Sequence, residues 1–216
     1  RLHRSVILCL HQHPYLYPAS PRRYHMHKKL LQYFQRIMPL TETEVDAIVE
    51  TLTIREYPKG TVLLEEGQVS TEVYFVLDGC VRQYYLVDGE EKTSNFFTEE
   101  QWVISMKSFG QIKPSEHYLD CAADSVLVVG NREKEEDLYR RFPKFETVSR
   151  KVMEQVFASQ QEMMSSYTTD TAEQRYLKLM EQRPELLQII PQYQIASYVG
   201  VKPESLSRIR KRLFKK

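Results

Sequence analysis

From Leu30 to Leu52 apolar residues recur every three or four positions, the spacing of a helix with one buried face. Pro39 and Thr41 punctuate the run. The pattern therefore predicts a helix ending near Met38 and a second one opened by Thr41, which forms a capping box with Glu44. Between Ile54 and Val129 the apolar segments shorten to strand length: Tyr57, Val62, Leu64, Val73 to Leu77, Val81 to Val87 and Val126 to Val129. They are separated by Pro58-Lys59-Gly60, Glu66-Gly67, Asp78-Gly79 and Asp88-Gly89, each supplying a residue that tolerates positive φ. Short strands with regular turns predict a β-barrel or jelly roll, with the preceding helices as lids.

After Pro143 the period becomes helical again and persists for about 25 residues, long for a globular helix. Phe145, Val148, Val152, Val156, Ser159, Met163 and Tyr167 form one stripe, while Glu154, Gln155, Gln161 and Glu162 occupy the other faces. The stripe either packs on its own barrel or meets its twin across a two-fold axis. The length accommodates both, and the dimer is the favoured reading, with Val148, Val152, Val156 and Met163 as its contacts. Thr168 to Thr171 reads as a hinge. A new helix starts at Thr171, carries Tyr176, Leu177, Leu179 and Met180, and stops at Arg183-Pro184. The expected organisation is a leader over residues 1–25, a barrel over 26–142, a long helix over 143–168 and a helical domain over 169–216.

Within that last segment, QYQIASYVGVKPESLSRIRKRL from Gln192 to Leu213 is the most specific signal. Ile195, Ala196 and Val199 give a short helix an inner face, and Ala196 is small where a second helix must cross. Gly200 permits the left-handed corner, Val201 plugs the core beneath it, and Pro203 starts a second helix whose buried stripe is Leu206, Ile209 and Leu213. This leaves Lys202, Glu204, Ser205, Arg208, Arg210, Lys211 and Arg212 outside, a set suited to a DNA major groove. Arg208 is the best candidate for paired donors to guanine, Ser205 bonds either way and Glu204 can accept from a cytosine amine. Lys202, Arg210, Lys211 and Arg212 suit phosphates. Cations at a helix C-terminus are stabilising in their own right, which accounts for Lys215 and Lys216. It does not account for a small residue, a turn glycine and three apolar anchors at helix-turn-helix spacing.

Charge and composition sharpen this picture. The 216 residues carry a net charge of +1, but the last sixteen hold seven Lys or Arg and one Glu, so the basic end is a distinct object. The first 25 residues hold four of the six His, four Arg and no acid. They read either as a basic arm or as a tag or upstream-extended start with Met26 as initiator, and the second reading is favoured. A hydrophobic fraction of 42% argues against disorder, and no apolar run spans a bilayer, so a cytoplasmic protein without membrane contact is expected. Cys9, Cys80 and Cys121 are widely spaced and read as buried free thiols.

From about Leu30 to its end the chain resembles the Crp/Fnr family of bacterial regulators. The matching pieces are the Lys59-Gly60 turn, Glu66-Gly67, YFVLDGCVRQYY from Tyr74 to Tyr85, the long helix after Phe142-Pro143, and the motif just described. The resemblance implies an α+β chain: an N-terminal cyclic-nucleotide-binding-like β-roll with flanking helices, a long dimerisation helix and a C-terminal all-α helix-turn-helix domain. It implies a homodimer that sets two recognition helices on a roughly palindromic double-stranded DNA site, with RNA polymerase as a candidate further partner.

Cyclic-AMP-binding members carry a Gly-Glu pair opening a short helix and an Arg-Ser or Arg-Thr pair after it; Arg pairs with the cyclic phosphate and Glu grips the ribose. Here Ile104-Ser105 and Ser115-Glu116 stand near those places, and no Arg lies between Arg82 and Arg132. Lys107 and Lys113 lack the planar fork, and Glu116 repels a phosphate. The expected effector is therefore an unidentified small molecule other than cyclic AMP, or none. Trp102, Ser105, Lys107, Phe109 and Tyr118 are its candidate pocket, although for most aromatics here, Phe97 included, core is the favoured role. No cofactor is identified. Only His117 lies beyond Gln35 among histidines, which excludes a multi-His metal centre from the barrel and argues against haem; Cys80 and Cys121 alone do not hold an iron-sulfur cluster. The pairs Glu65-Glu66, Glu90-Glu91 and Glu99-Glu100 read as turn and surface charge, so no enzyme is expected. The rival is a ligand-binding or interaction module with weak or no specific DNA binding. Isothermal calorimetry with cyclic AMP is expected to show no binding of micromolar strength, about −8 kcal/mol; a tighter isotherm overturns that expectation.

Overall fold

A computed structural model describes residues 21–214. Most of the leader, with Cys9, and the terminal Lys215 and Lys216 lie outside the described residues. Helix α1 (Pro21–Ile37) begins ahead of Met26, and Met26, Leu30, Leu31, Tyr33 and Phe34 form its buried face. Helix α2 (Glu42–Thr51) opens with the expected capping box, the Thr41 amide donating to Glu44 Oε2 at 2.7 Å. Glu44 also pairs with Lys144. Burial opposes its charge, but the bonds from Lys144 and Thr41 more than offset this and hold its pKa low.

Among the described residues eight strands follow: β1 (Thr53–Tyr57), β2 (Val62–Leu64), β3 (Glu72–Asp78), β4 (Val81–Val87), β5 (Glu90–Phe97), β6 (Trp102–Val103), β7 (Tyr118–Cys121) and β8 (Ser125–Asn131). They form two four-stranded antiparallel sheets, in the orders β1-β8-β3-β6 and β2-β7-β4-β5. Period-two alternation assigns each residue to a layer. Tyr74 and Val76 of β3, with Leu127 and Val129 of β8, point between the sheets and meet Val81, Phe97, Leu119 and Cys121. Their neighbours Phe75, Leu77, Val126 and Val128 point the other way, onto the helices. The first sheet is thus buried on both faces, which is why β8 reads as a nearly unbroken apolar run.

Turn chemistry sets the strand joints. At Asp78-Gly79, Gly79 has φ 90°, and a Cβ there would stand 2.3 Å from the Asp124 carbonyl oxygen, so only glycine fits. Cys80 and Cys121 are buried free thiols, pushed up to about 12 and about 11 by burial.

Between β6 and β7 lies the short α3 (Met106–Gln111), and after β8 comes α4 (Arg132–Arg141), capped by Asn131. The long helix α5 (Lys144–Thr169) has the expected extent, and Phe145, Val148 and Val152 are buried in the same core as α1 and α2. Beyond Asp170 come α6 (Ala172–Gln182), which starts after Thr171 as expected and is capped by Thr171 with Gln174, α7 (Leu186–Ile189), α8 (Gln192–Tyr198) and α9 (Pro203–Phe214). The protein is therefore α+β, with a two-sheet β-roll, a long helix and C-terminal helices. Phe75→Ala removes a fully buried ring from the layer joining sheet and helices. It is expected to cost about 3–5 kcal/mol, read as a shift in the urea midpoint.

Candidate nucleic-acid interface

Helix α8 and helix α9 are joined at a corner of Val199, Gly200 and Val201. Gly200 adopts φ 79°, its amide bonds the Ser197 carbonyl at 3.0 Å, and the Val201 amide bonds the Ala196 carbonyl at 2.9 Å. Ile195, Ala196 and Val199 are fully buried against Leu206 and Ile209, with Leu213 packed on the same cluster. The Arg175 guanidinium donates to the Val199 carbonyl at 2.8 and 3.0 Å and to the Asp170 carbonyl at 2.6 Å, clamping the corner to the end of the long helix. Nothing in the local sequence flags Arg175 for this role.

Lys202, Glu204, Arg208, Arg210, Lys211 and Arg212 are exposed and Ser205 is half-exposed. Arg208 Nη2 lies 3.3 Å from Ser205 Oγ, which places the two candidate base readers side by side. Arg210 bonds Gln192 Oε1 at 2.8 Å, and Arg212 pairs with Glu173. Exposed pairs of this kind contribute little and exchange readily for a phosphate.

The same helices dock on the outer face of the second sheet. Phe96 packs on Tyr198 with ring centroids 5.3 Å apart, and Cys80, Phe96 and Ala122 belong to one cluster with Tyr176, Leu179 and Ile195. Ser197 Oγ accepts from the Thr93 amide at 2.9 Å and lies 3.1 Å from the Glu91 carbonyl. Arg183 Nη2 donates to the Phe96 carbonyl at 2.8 Å. On the same strand face, buried Arg82 reaches Asp120 at 2.7 and 3.0 Å and Glu91 at 2.6 Å. Burial opposes the Arg82 charge, but the bonds to the two carboxylates more than offset it and raise its pKa.

The five candidate effector residues do not converge. Trp102 and Phe109 line a cavity on the helix side of the first sheet. Ser105 is buried there in the chain between two lining residues, its Oγ without a hydrogen-bond partner among the described residues. Lys107 is exposed and already paired with Glu116. Tyr118 stacks on Tyr84, centroids 5.0 Å apart and planes at 9°, on the second sheet beside Arg82. His117 is displaced below its usual pKa by burial, partly countered by Glu116, and packs on Tyr85.

The candidate dimer residues divide as well. Val148 and Val152 are covered by their own β-roll, Val156 is partly so, and Met163 lines a cleft of about 690 Å³ between α5, the barrel and α6. Phe157 and Met164, 64% and 73% exposed, lie on a different face, continuous with half-exposed Met153. The sequence stripe missed this face, although its steps of four and seven residues are helical too. Among the described residues there is no cluster of three or more metal-ligating side chains, and no helix is long and apolar enough to cross a membrane.

Residues 54–142 match the family of cyclic nucleotide-binding domains, from the second residue of β1 to the end of α4. No curated protein matches the chain in sequence. Among solved structures, the c-di-GMP-responsive global regulator CLP of Xanthomonas campestris is 18% identical, with a TM-score of 0.64 over 80% of this chain and 91% of that one. A regulator of the Crp/Fnr family from Eubacterium rectale is also 18% identical, with a TM-score of 0.62 over 82% of this chain and 84% of that one. FixK2 of Bradyrhizobium japonicum is 20% identical, with a TM-score of 0.60 over 76% and 85%. Residues 54–142 thus match the cyclic nucleotide-binding domain family, and the chain has the fold of these regulators, the Crp/Fnr-family one among them.

Proposed function

We propose that this protein is a sequence-specific DNA-binding transcription regulator that acts as a homodimer and does not respond to cyclic AMP. The observation that carries the reading is α9: its apolar side is locked into the core by Leu206 and Ile209, while six of the seven candidate contact residues on it and its approach are exposed. A helix held in this way can enter a major groove without losing its own packing. Arg208 and Ser205 read base edges, and Lys202, Arg210, Lys211 and Arg212 hold phosphates. The relatives of known structure include proteins described as a global regulator and as a transcriptional regulator, which supports the class. The reading without cyclic AMP is supported by Arg82 of β4 being buried and committed to Asp120 and Glu91, and by the absence of any other Arg from there to Arg132.

The open face of α5 is the dimer seam in this reading. Phe157 and Met164 are large apolar side chains left in water by the single chain, whereas Val148 and Val152 already have partners. A second copy of α5 laid along this face buries them in an isologous contact.

Fluorescence anisotropy with DNA from upstream of the protein's own gene, over a salt series, tests the DNA reading. Arg208→Ala is expected to cost about 1–3 kcal/mol on the preferred site and little on random DNA. Arg212→Ala should weaken both alike and flatten the salt slope by about one. Equal weak binding of wild type and Arg208→Ala to both sequences would sink the specific-regulator reading. Sedimentation tests the seam: Phe157→Glu is expected to weaken dimerisation roughly tenfold or more, as loss of a central aromatic contact does. A wild type that remains monomeric at high concentration overturns it.

A further inference from the structure

Outside the β-roll, between the outer face of the first sheet and helices α1, α2, α4 and α5, lies a cavity of about 270 Å³. Protein interiors leave few voids larger than a water molecule, and an apolar cavity of roughly 150 Å³ stays dry and accepts benzene. This one is larger. The outward row of β8 runs Val126, Val128, Gly130, so alternation calls for a third apolar side chain where glycine stands. A Cβ at Gly130 would press to 3.2 Å from Val73 Cγ2 and 3.4 Å from Leu52 Cδ2, both from residues of the cavity wall.

The lining defines the chemistry it accepts. Trp102, Phe109 and Phe145 supply aromatic faces and edges, and no Lys or Arg is among the lining residues, so a phosphate or other anion meets no counter-charge. Two polar groups of the wall are committed to protein partners: the Tyr139 hydroxyl donates to Glu135, and Trp102 Nε1 donates to Tyr33 Oη at 3.0 Å. Met106, half exposed, and Met153 belong to the lining where it nears the surface, and both are flexible enough to let a guest pass. The space between the two sheets, by contrast, is occupied by Tyr74, Val76, Leu119 and Leu127.

We infer that this cavity is a binding site for a neutral, flat, predominantly aromatic small molecule of about two fused rings. It stands apart from the interior of the β-roll, and the inference does not depend on DNA binding or on the dimer. The guest stacks against Trp102 and Phe109 and replaces no ion pair on entry.

Trp102 is the single tryptophan of the chain, so its emission reads the site directly. Naphthalene titrated into the full-length protein is expected to change Trp102 emission along a saturable single-site curve. Ser149→Leu, filling the cavity from α5, and Ile104→Phe, filling it from the chain after β6, should each weaken binding at least tenfold while circular dichroism and melting remain those of a folded protein. Saturation-transfer NMR on Trp102→Phe should still detect bound naphthalene, and excess cyclic AMP should not displace it. A linear, unsaturable response overturns the inference. So does unchanged affinity in both filled variants, or displacement of naphthalene by cyclic AMP.

Discussion

The two-sided burial of the first sheet is the constraint on which the rest of the molecule depends. One row of β3 and β8 side chains closes the β-roll, and the alternate row makes the floor for α1, α2 and α5. A one-residue slip in register would exchange the two rows and lose both layers together. The turn at Gly79 guards against that slip, since its close approach to Asp124 admits no side chain and fixes where β4 departs from β3. The long helix is in turn positioned by this floor, through Phe145, Val148 and Val152, before any second copy is considered.

The second sheet performs a different task. Its inner face completes the roll, and its outer face carries the C-terminal helices through Cys80, Phe96 and Ala122. Alongside that apolar contact sits a buried cation held by two carboxylates on neighbouring strands, Arg82 with Asp120 and Glu91. Such a cluster adds directional demands that an apolar patch alone does not make: breaking one partner leaves charge in a poorly solvated place. Glu91 contributes to both contacts at once, its carboxylate to Arg82 and its carbonyl to Ser197.

Much of the fold was legible because it is written in local chemistry. Thr41 with Glu44, Thr171, Asp78-Gly79 and Gly200-to-Pro203 each specify a boundary within a few residues, and the structure places boundaries there. Strand β5 was not legible, because EEKTSNFF is polar over most of its length, and its apolar end divides, Phe97 entering the roll and Phe96 packing under the C-terminal helices. Helix α4 was hidden for a similar reason: REKEEDLYRR offers one buried leucine and no stripe. The period of α5 was readable, but not which of its faces the barrel takes, since Val148 and Phe157 serve equally well in a helical pattern. The candidate effector residues were gathered by nearness in sequence, and the sheet sends Tyr118 to one side and Trp102 to the other. Arg175 and the cavity beside Gly130 are assembled from segments far apart in the chain, which no short-range pattern reports.

Phe96 belongs to the sheet by its backbone and to the C-terminal helices by its side chain. The two units therefore share solvent exclusion, and any swing of the C-terminal helices hydrates that ring together with its neighbours. Exposure of a large apolar side chain costs about 1.5–3 kcal/mol. The docked arrangement of the C-terminal helices is therefore held by the sheet's own hydrophobic burial, and lifting them off it carries that cost from the first step.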